Sequence, residues 1–247
     1  MKMGNIYENG AADLRSPPPL PNRNTDAVNR LTSSARSKRA VLRAATDPVH
    51  GRLDRALSAY DLADVDGYRA FLLVHAAALI ACERALKAQG FGALCSGWSE
   101  GKRTASLLAD LRGLDATPPL IPPVPIVGAD AMWGAAYVLE GSRMGARVLE
   151  RRARAEGNPL VVANLRFLSH RGGMRWGTFV NALEDALDAN DGLERAIEGA
   201  LIAFGLFENA EAQVASVSDK AMNTGGRVRK VVSTVNVRAR QLLGASA

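Results

Sequence analysis

The chain has 247 residues, 47% apolar and 23% charged, enough to build a buried core and too apolar for disorder throughout. Its two cysteines, Cys82 and Cys95, exclude a disulfide framework and a four-cysteine zinc site and predict a reducing, cytoplasmic setting. The net charge is +6, yet residues 1–40 and 213–247 together carry +9 and the body between them −3, which argues against nucleic acid as the body's partner.

Aromatics are only 5% of the chain, and long stretches such as Arg69 to Ala88 lack Gly and Pro, which predicts an all-α fold and excludes a β-sandwich or barrel. No run of eighteen apolar residues and no apolar leader are present, so neither a membrane span nor a signal peptide is expected.

Residues 1–37 hold Pro17, Pro18, Pro19 and Pro21 among polar and basic residues and predict a disordered segment. From Val41 to Tyr60, Leu42, Ala45, Val49, Leu53 and Leu57 recur at helical steps, interrupted by Thr46, Asp47 and Pro48. A helix either restarts there or kinks there, and His50 lies just beyond. Asp66 caps a second helix with Tyr68, Phe71, Leu72, His75, Leu79, Cys82 and Leu86 on one face. His75 reads as a core histidine and Cys82 as a small hydrophobe.

A third helix is expected from Ser99 to Leu111, and residues 117–125, with five prolines, form an extended connector. The segment from Ala129 to Ala155 is helical by pattern yet holds Gly134, Gly141 and Gly145. Each interior glycine costs about 1 kcal/mol relative to alanine, so something must pack against, or need room beside, the backbone. Helices are predicted over Pro159–Ser169, Met174–Ala189 and Gly192–Ala215. The expected organisation is a helical domain over 38–215, between the N-terminal segment 1–37 and a basic tail, 216–247.

The three histidines are too scattered for a local zinc motif, and no phosphate loop or GxSxG elbow occurs. What stands out is His50 in the first helix and the run Tyr137-Val138-Leu139-Glu140-Gly141-Ser142-Arg143-Met144-Gly145 in a later one. On residues alone, the histidine can be an ordinary polar contact and the glycine pair a close helix crossing. Glu140 reads as a carboxylate paired with an arginine, and His170 as a surface loop residue.

Two motifs nevertheless resemble the bacterial heme oxygenases, especially the biliverdin-producing type associated with bacteriophytochromes. Leu42, Arg43, Thr46 and His50 match the proximal pattern L-[KR]-x-x-T-x-x-x-H, and Tyr137 to Gly145 look like the distal helix. Trp176, Phe179, Phe204 and Phe207 add weaker support.

The resemblance implies a single-domain helical bundle holding heme, at once substrate and cofactor, with His50 as axial ligand of the iron. It implies that Gly141 and Gly145 clear space over the porphyrin and that Ser142 organises distal water. Arg43 would reach one propionate and Arg171 or Arg175 the other; Thr46 would support the binding helix, and Phe204 and Phe207 would wall the pocket. The reaction implied consumes O2 and electrons from a donor such as a ferredoxin or a flavin reductase. It yields biliverdin, iron and carbon monoxide, with a bacteriophytochrome as a possible recipient of the pigment. The arginines at 147, 151, 152 and 154 are either a solvated face or a docking patch for an acidic reductant.

Three departures stand beside this. Ser142 occupies the position of an aspartate in the animal branch, Ala146 replaces a glycine found in many members, and Pro48 lies inside the proximal motif. A heme carrier or sensor on the same fold is the alternative function, and a charge-driven binding module the third.

Overall fold

A computed structural model describes residues 37–119, 124–187 and 191–223, and every regular element among them is helical. The expected disordered segment 1–37 and the tail beyond 223 lie outside these residues, apart from Ser37. In chain order the elements are α1 (Lys38–Leu57), α2 (Val65–Ala88), α3 (Phe91–Leu94), a short 3-10 turn (Ser99–Gly101) and α4 (Thr104–Gly113). There follow α5 (Ala129–Glu156), α6 (Pro159–Val162), α7 (Arg166–Ser169), α8 (Trp176–Ala186) and α9 (Asp191–Asn223).

Helix α1 runs unbroken through Pro48, so no second helix restarts there. Thr46 is buried and its hydroxyl donates to the Leu42 carbonyl at 2.8 Å, tying the turn before the proline to its own backbone. The start of α1 is capped twice. The Ser37 hydroxyl accepts from Ala40 N at 3.2 Å, while the Glu184 carboxylate of α8 accepts from the Ser37 hydroxyl at 2.6 Å and from the amides of Lys38 and Arg39 at 3.0 Å each. Burial pushes the Glu184 carboxyl up, but these donors outweigh it and hold it below the usual range. Glu184→Ala strips three donors of their partner at once, so its thermal midpoint should fall by several degrees, equivalent to about 1–3 kcal/mol.

Helix α2 is the central element. By length and composition it could cross a membrane, but most of its apolar stretch is buried inside the bundle. Its cap is Asp64, two residues before the expected Asp66, with the carboxylate accepting from Asp66 N and Gly67 N at 2.9 and 3.0 Å. His75 lies among the rings of Phe71, Phe167 and Phe207. Its Nδ1–H donates to the Phe71 carbonyl at 2.8 Å.

Burial lowers the His75 pKa to about 4, with the Phe71 carbonyl opposing and Arg103 assisting. An unfolded chain protonates this histidine near 6.5, while the folded one resists until about 4. Stability is therefore complete above 6.5 and should decline as the pH drops toward 4, by on the order of 3 kcal/mol from this group. Urea midpoints across that range should show the decline, and the non-titrating His75→Leu should flatten it.

The segment expected as one helix over Pro159–Ser169 is two. The fully buried Asp110 carboxylate accepts from the amides of Arg166 and Phe167 at 3.1 and 2.7 Å and so starts a new helix at that point. Helix α9 continues to Asn223, past the expected boundary at 215, although its buried stripe ends at Val214. Helices α5 and α9 cross antiparallel at backbone contact. A Cβ on Gly134 would lie 1.7 Å from the Ala196 carbonyl oxygen, and one on Gly199 would lie 2.0 Å from that of Ala131.

Candidate functional site

The site assembles from α1, α5, α8 and α9. Three core positions of α1, Leu42, Val49 and Leu53, turn inward, and this leaves Arg43 and His50 on its exposed side. His50 packs edge-on against Phe204 of α9, ring centroids 5.7 Å apart. The Asp54 carboxylate stands 3.6 Å from its Nε2, longer than a hydrogen bond, so the imidazole remains accessible to a ligand.

Trp176, at the start of α8, joins the other sides of the site. Its ring lies under the Arg39 guanidinium of α1 at 5.9 Å and beside Tyr137 of α5 at 5.8 Å. It is also the atom group nearest to a Cβ built on Gly141, at 3.8 Å. The Tyr137 hydroxyl pKa is raised by burial, against the pull of the nearby Arg39 and Arg43 charges. One aromatic cluster thus ties the cationic start of α1 to the glycine-bearing stretch of α5.

The three glycines of α5 have different surroundings. Gly134 is the helix crossing described above. Around Gly145, by contrast, nothing among the described residues lies within 4 Å of where a Cβ would be, and Gly141 meets only the Trp176 ring edge at van der Waals distance. The close-packing explanation therefore holds for Gly134, while Gly141 and Gly145 leave their helix face unobstructed.

Behind that face lies a buried polar network that the sequence reading missed. Arg103 is 3% exposed, and one of its guanidinium nitrogens donates to the Leu139 carbonyl at 2.9 Å and to the Ser142 hydroxyl at 2.8 Å. Glu83 of α2 accepts from Arg103 N at 2.7 Å and from the Thr104 hydroxyl at 2.6 Å, capping α4. Glu140 is buried against Arg143 at 2.8 Å, and Arg143 also donates to the carbonyls of Gly172 and Gly101. Burial raises the Glu140 pKa against the pull of both arginines, and burial with the Arg143 charge lowers that of Arg103 to about 10. A charged residue among the apolar neighbours of α2 was the available signal for Glu83. Arg103 has none, because its partners lie 20 to 39 residues away.

Other expected residues sit as follows. Thr46 faces the core with its hydroxyl on its own helix, so it acts on the ligand side only through the position of α1. Phe204 and Phe207 are buried, the first against His50 and the second against His75. Arg171 pairs with Glu150 near the end of α5 and donates to the Leu168 carbonyl at 3.0 Å, whereas Arg175 is exposed at the start of α8. Arg154 also pairs with Glu150, and Arg152 with Glu156. His170 is not a surface loop residue: its Nδ1 meets the Ser106 hydroxyl at 3.1 Å and its Nε2 is sealed from solvent.

No protein-family model matches the chain. A curated heme oxygenase of Xanthomonas campestris pv. campestris (strain 8004) is 32% identical over 145 residues, which cover 58% of this chain and 88% of that protein. The chain belongs to the heme oxygenase family. The all-helical architecture agrees with that membership. For heme, the molecule after which the family is named, the donor set is suitable. Among the described residues no three His, Cys, Asp or Glu side chains gather as a metal site, while His50 offers one accessible imidazole. Around Gly145 no described atom stands within 4 Å of an added Cβ, which leaves that face of α5 open to a ligand.

Proposed function

We propose that this chain is an active heme oxygenase that opens heme to biliverdin, with release of ferrous iron and carbon monoxide, using O2 and electrons from an external donor. The observation that carries the reading is the occurrence, in a member of this family, of an accessible imidazole on α1, packed on Phe204, together with a stretch of α5 whose Gly141 meets only the Trp176 ring edge and whose Gly145 meets nothing among the described residues. The bound heme supplies the iron that binds dioxygen, and the rest of the work belongs to the protein.

His50 would supply the imidazole that holds the iron. Arg43 and Arg175, both exposed, hold the two propionates by charge-assisted hydrogen bonds. Gly141 and Gly145 carry no side chain of their own and would leave room beside α5 for the macrocycle and for water. Phe204 excludes water beside the His50 imidazole. Ser142 holds a water that carries protons to the reacting oxygen. The reductant is a ferredoxin or a flavin reductase that meets the exposed arginines of α5, the reaction runs in the cytoplasm, and the biliverdin supplies a bacteriophytochrome.

One observation favours a second reading, a heme carrier or sensor. The Ser142 hydroxyl already donates to the Leu139 carbonyl at 2.7 Å, so its proton is engaged. The two readings separate in one experiment. The purified chain receives one equivalent of hemin and then ascorbate in air, while the visible spectrum is followed. Decay of the Soret band into biliverdin absorbance, with carbon monoxide trapped in the headspace, supports the oxygenase. A Soret band that survives reduction supports the carrier, and the absence of any heme spectrum overturns both.

A further inference from the structure

Resting on the oxygenase reading, the polar network behind α5 assigns a role to a residue that does not face the ligand. Ser142 Oγ, Leu139 O and one Arg103 nitrogen form a closed triangle, with sides of 2.7, 2.8 and 2.9 Å. A hydroxyl has one proton and two lone pairs. With the proton on Leu139 O and one lone pair taken by Arg103, Ser142 keeps a single free capacity, and it is that of an acceptor.

The triangle is held in place from outside the helix. The Arg103 guanidinium lies over the Phe167 ring at 5.3 Å, and Arg103 N is fixed by Glu83 Oε1 at 2.7 Å. Glu83 Oε2 is committed in turn to Thr104 N at 3.1 Å and to its hydroxyl at 2.6 Å. The charges facing the pair are Glu83 from α2, and Glu140 and Arg143 from α5 itself. A swing of Arg103 would leave its buried guanidinium without these acceptors, so the arginine keeps its place beside the Ser142 hydroxyl.

We propose that Arg103 is a positioning residue for the reaction, locking the Ser142 hydroxyl as a hydrogen-bond acceptor. A water beside it must then donate one proton to Ser142 and point the other at the oxygen that needs it. The arginine orients the proton donor without touching substrate, and the protein achieves with a serine and a distant guanidinium what a carboxylate would do by its charge.

The test uses the full chain loaded with hemin, comparing wild type, Arg103→Lys, Ser142→Ala and the double variant. Lysine keeps the charge, but its side chain is one atom shorter, so its ammonium stops short of the position that the terminal guanidinium nitrogen holds between the two acceptors. Hemin affinity by Soret titration should stay within about twofold in all four, since neither group binds the porphyrin. Ring opening with ascorbate should slow about tenfold in each single variant, and the double should be no slower than Ser142→Ala alone. The pH midpoint at which the ferric complex changes between its acid and alkaline spectra should move in the same direction in both singles.

An Arg103→Lys protein with wild-type rate and midpoint overturns the proposal, as does a double variant slowed by the product of the single effects. If circular dichroism shows the lysine variant unfolded, Arg103→Gln, which keeps an amide donor, takes its place under the same criteria. Failure of the oxygenase reading looks different. Wild type itself would then hold its Soret band under ascorbate, and the spectral midpoint alone would decide the role of Arg103. With no heme spectrum at all, the proposal falls with the reading.

Discussion

Gly134→Ala prevents stable folding, while the same substitution eleven residues later, Gly145→Ala, makes the ligand-free protein slightly more stable. At Gly134 the added methyl would sit 1.7 Å from the Ala196 carbonyl oxygen, and the obstacle is backbone, which has no rotamer to escape into. Overpacking against side chains costs about 1–3 kcal/mol, and a clash between two main chains that cross at their glycines costs more. Against a total stability of about 5–15 kcal/mol, that is enough to unfold much of the population. At Gly145 the methyl meets nothing within 4 Å among the described residues, so the helix gains the roughly 0.5–1 kcal/mol by which alanine surpasses glycine. If Gly145 serves as proposed, that gain is bought with activity, and heme turnover by Gly145→Ala should fall about tenfold. Thermal melts and an ascorbate-driven turnover assay on both variants check the contrast. Equal melting points for the two would refute the assignment of one glycine to packing and the other to clearance.

His50→Ala should leave the melt of the ligand-free protein within about 0.5 kcal/mol of wild type while abolishing the histidine-ligated heme spectrum. The imidazole is more than half exposed, its distance to Asp54 is too long for a hydrogen bond, and only its edge contact with Phe204 is lost. A residue with so little to contribute to the fold is a clean probe of binding. Ring opening should drop by about a hundredfold or more, and added imidazole should restore part of the spectrum by occupying the vacated space. Wild-type-like heme binding by the variant would mean that the iron is held elsewhere. The two outcomes are separated by the position and intensity of the Soret band during a hemin titration.

The fold class and helix α1 were legible because their signals are local. Apolar spacing on α1 and α2, the absence of strand patterning and the glycine-broken run in α5 all report on neighbouring residues. Boundaries were less legible wherever a distant side chain supplied the decisive hydrogen bonds. Asp110 divides the expected helix at Arg166, and Glu184 caps α1 across 146 residues of chain. The glycines show the same limit within one helix. Pattern alone marks three breaks in α5, yet which of them touches α9 and which faces open space depends on where α9 lies. Arg103 was invisible for a similar reason: it is one of many arginines until Leu139 and Ser142 are placed beside it.

The two fastenings of α5 have a mechanical consequence. Its first half is pinned at Gly134 against α9, and its far end is clasped where Glu150 meets Arg154 and Arg171. Between these anchors the stretch with Gly141 and Gly145 is held along one side, where Arg103 reaches Leu139 and Ser142 and where Arg143 reaches Gly101 and Gly172, so the helix resembles a beam supported at both ends and braced along its back. A beam braced in this way holds its open face still, and whatever lies against that face must adapt to the helix rather than the helix to it.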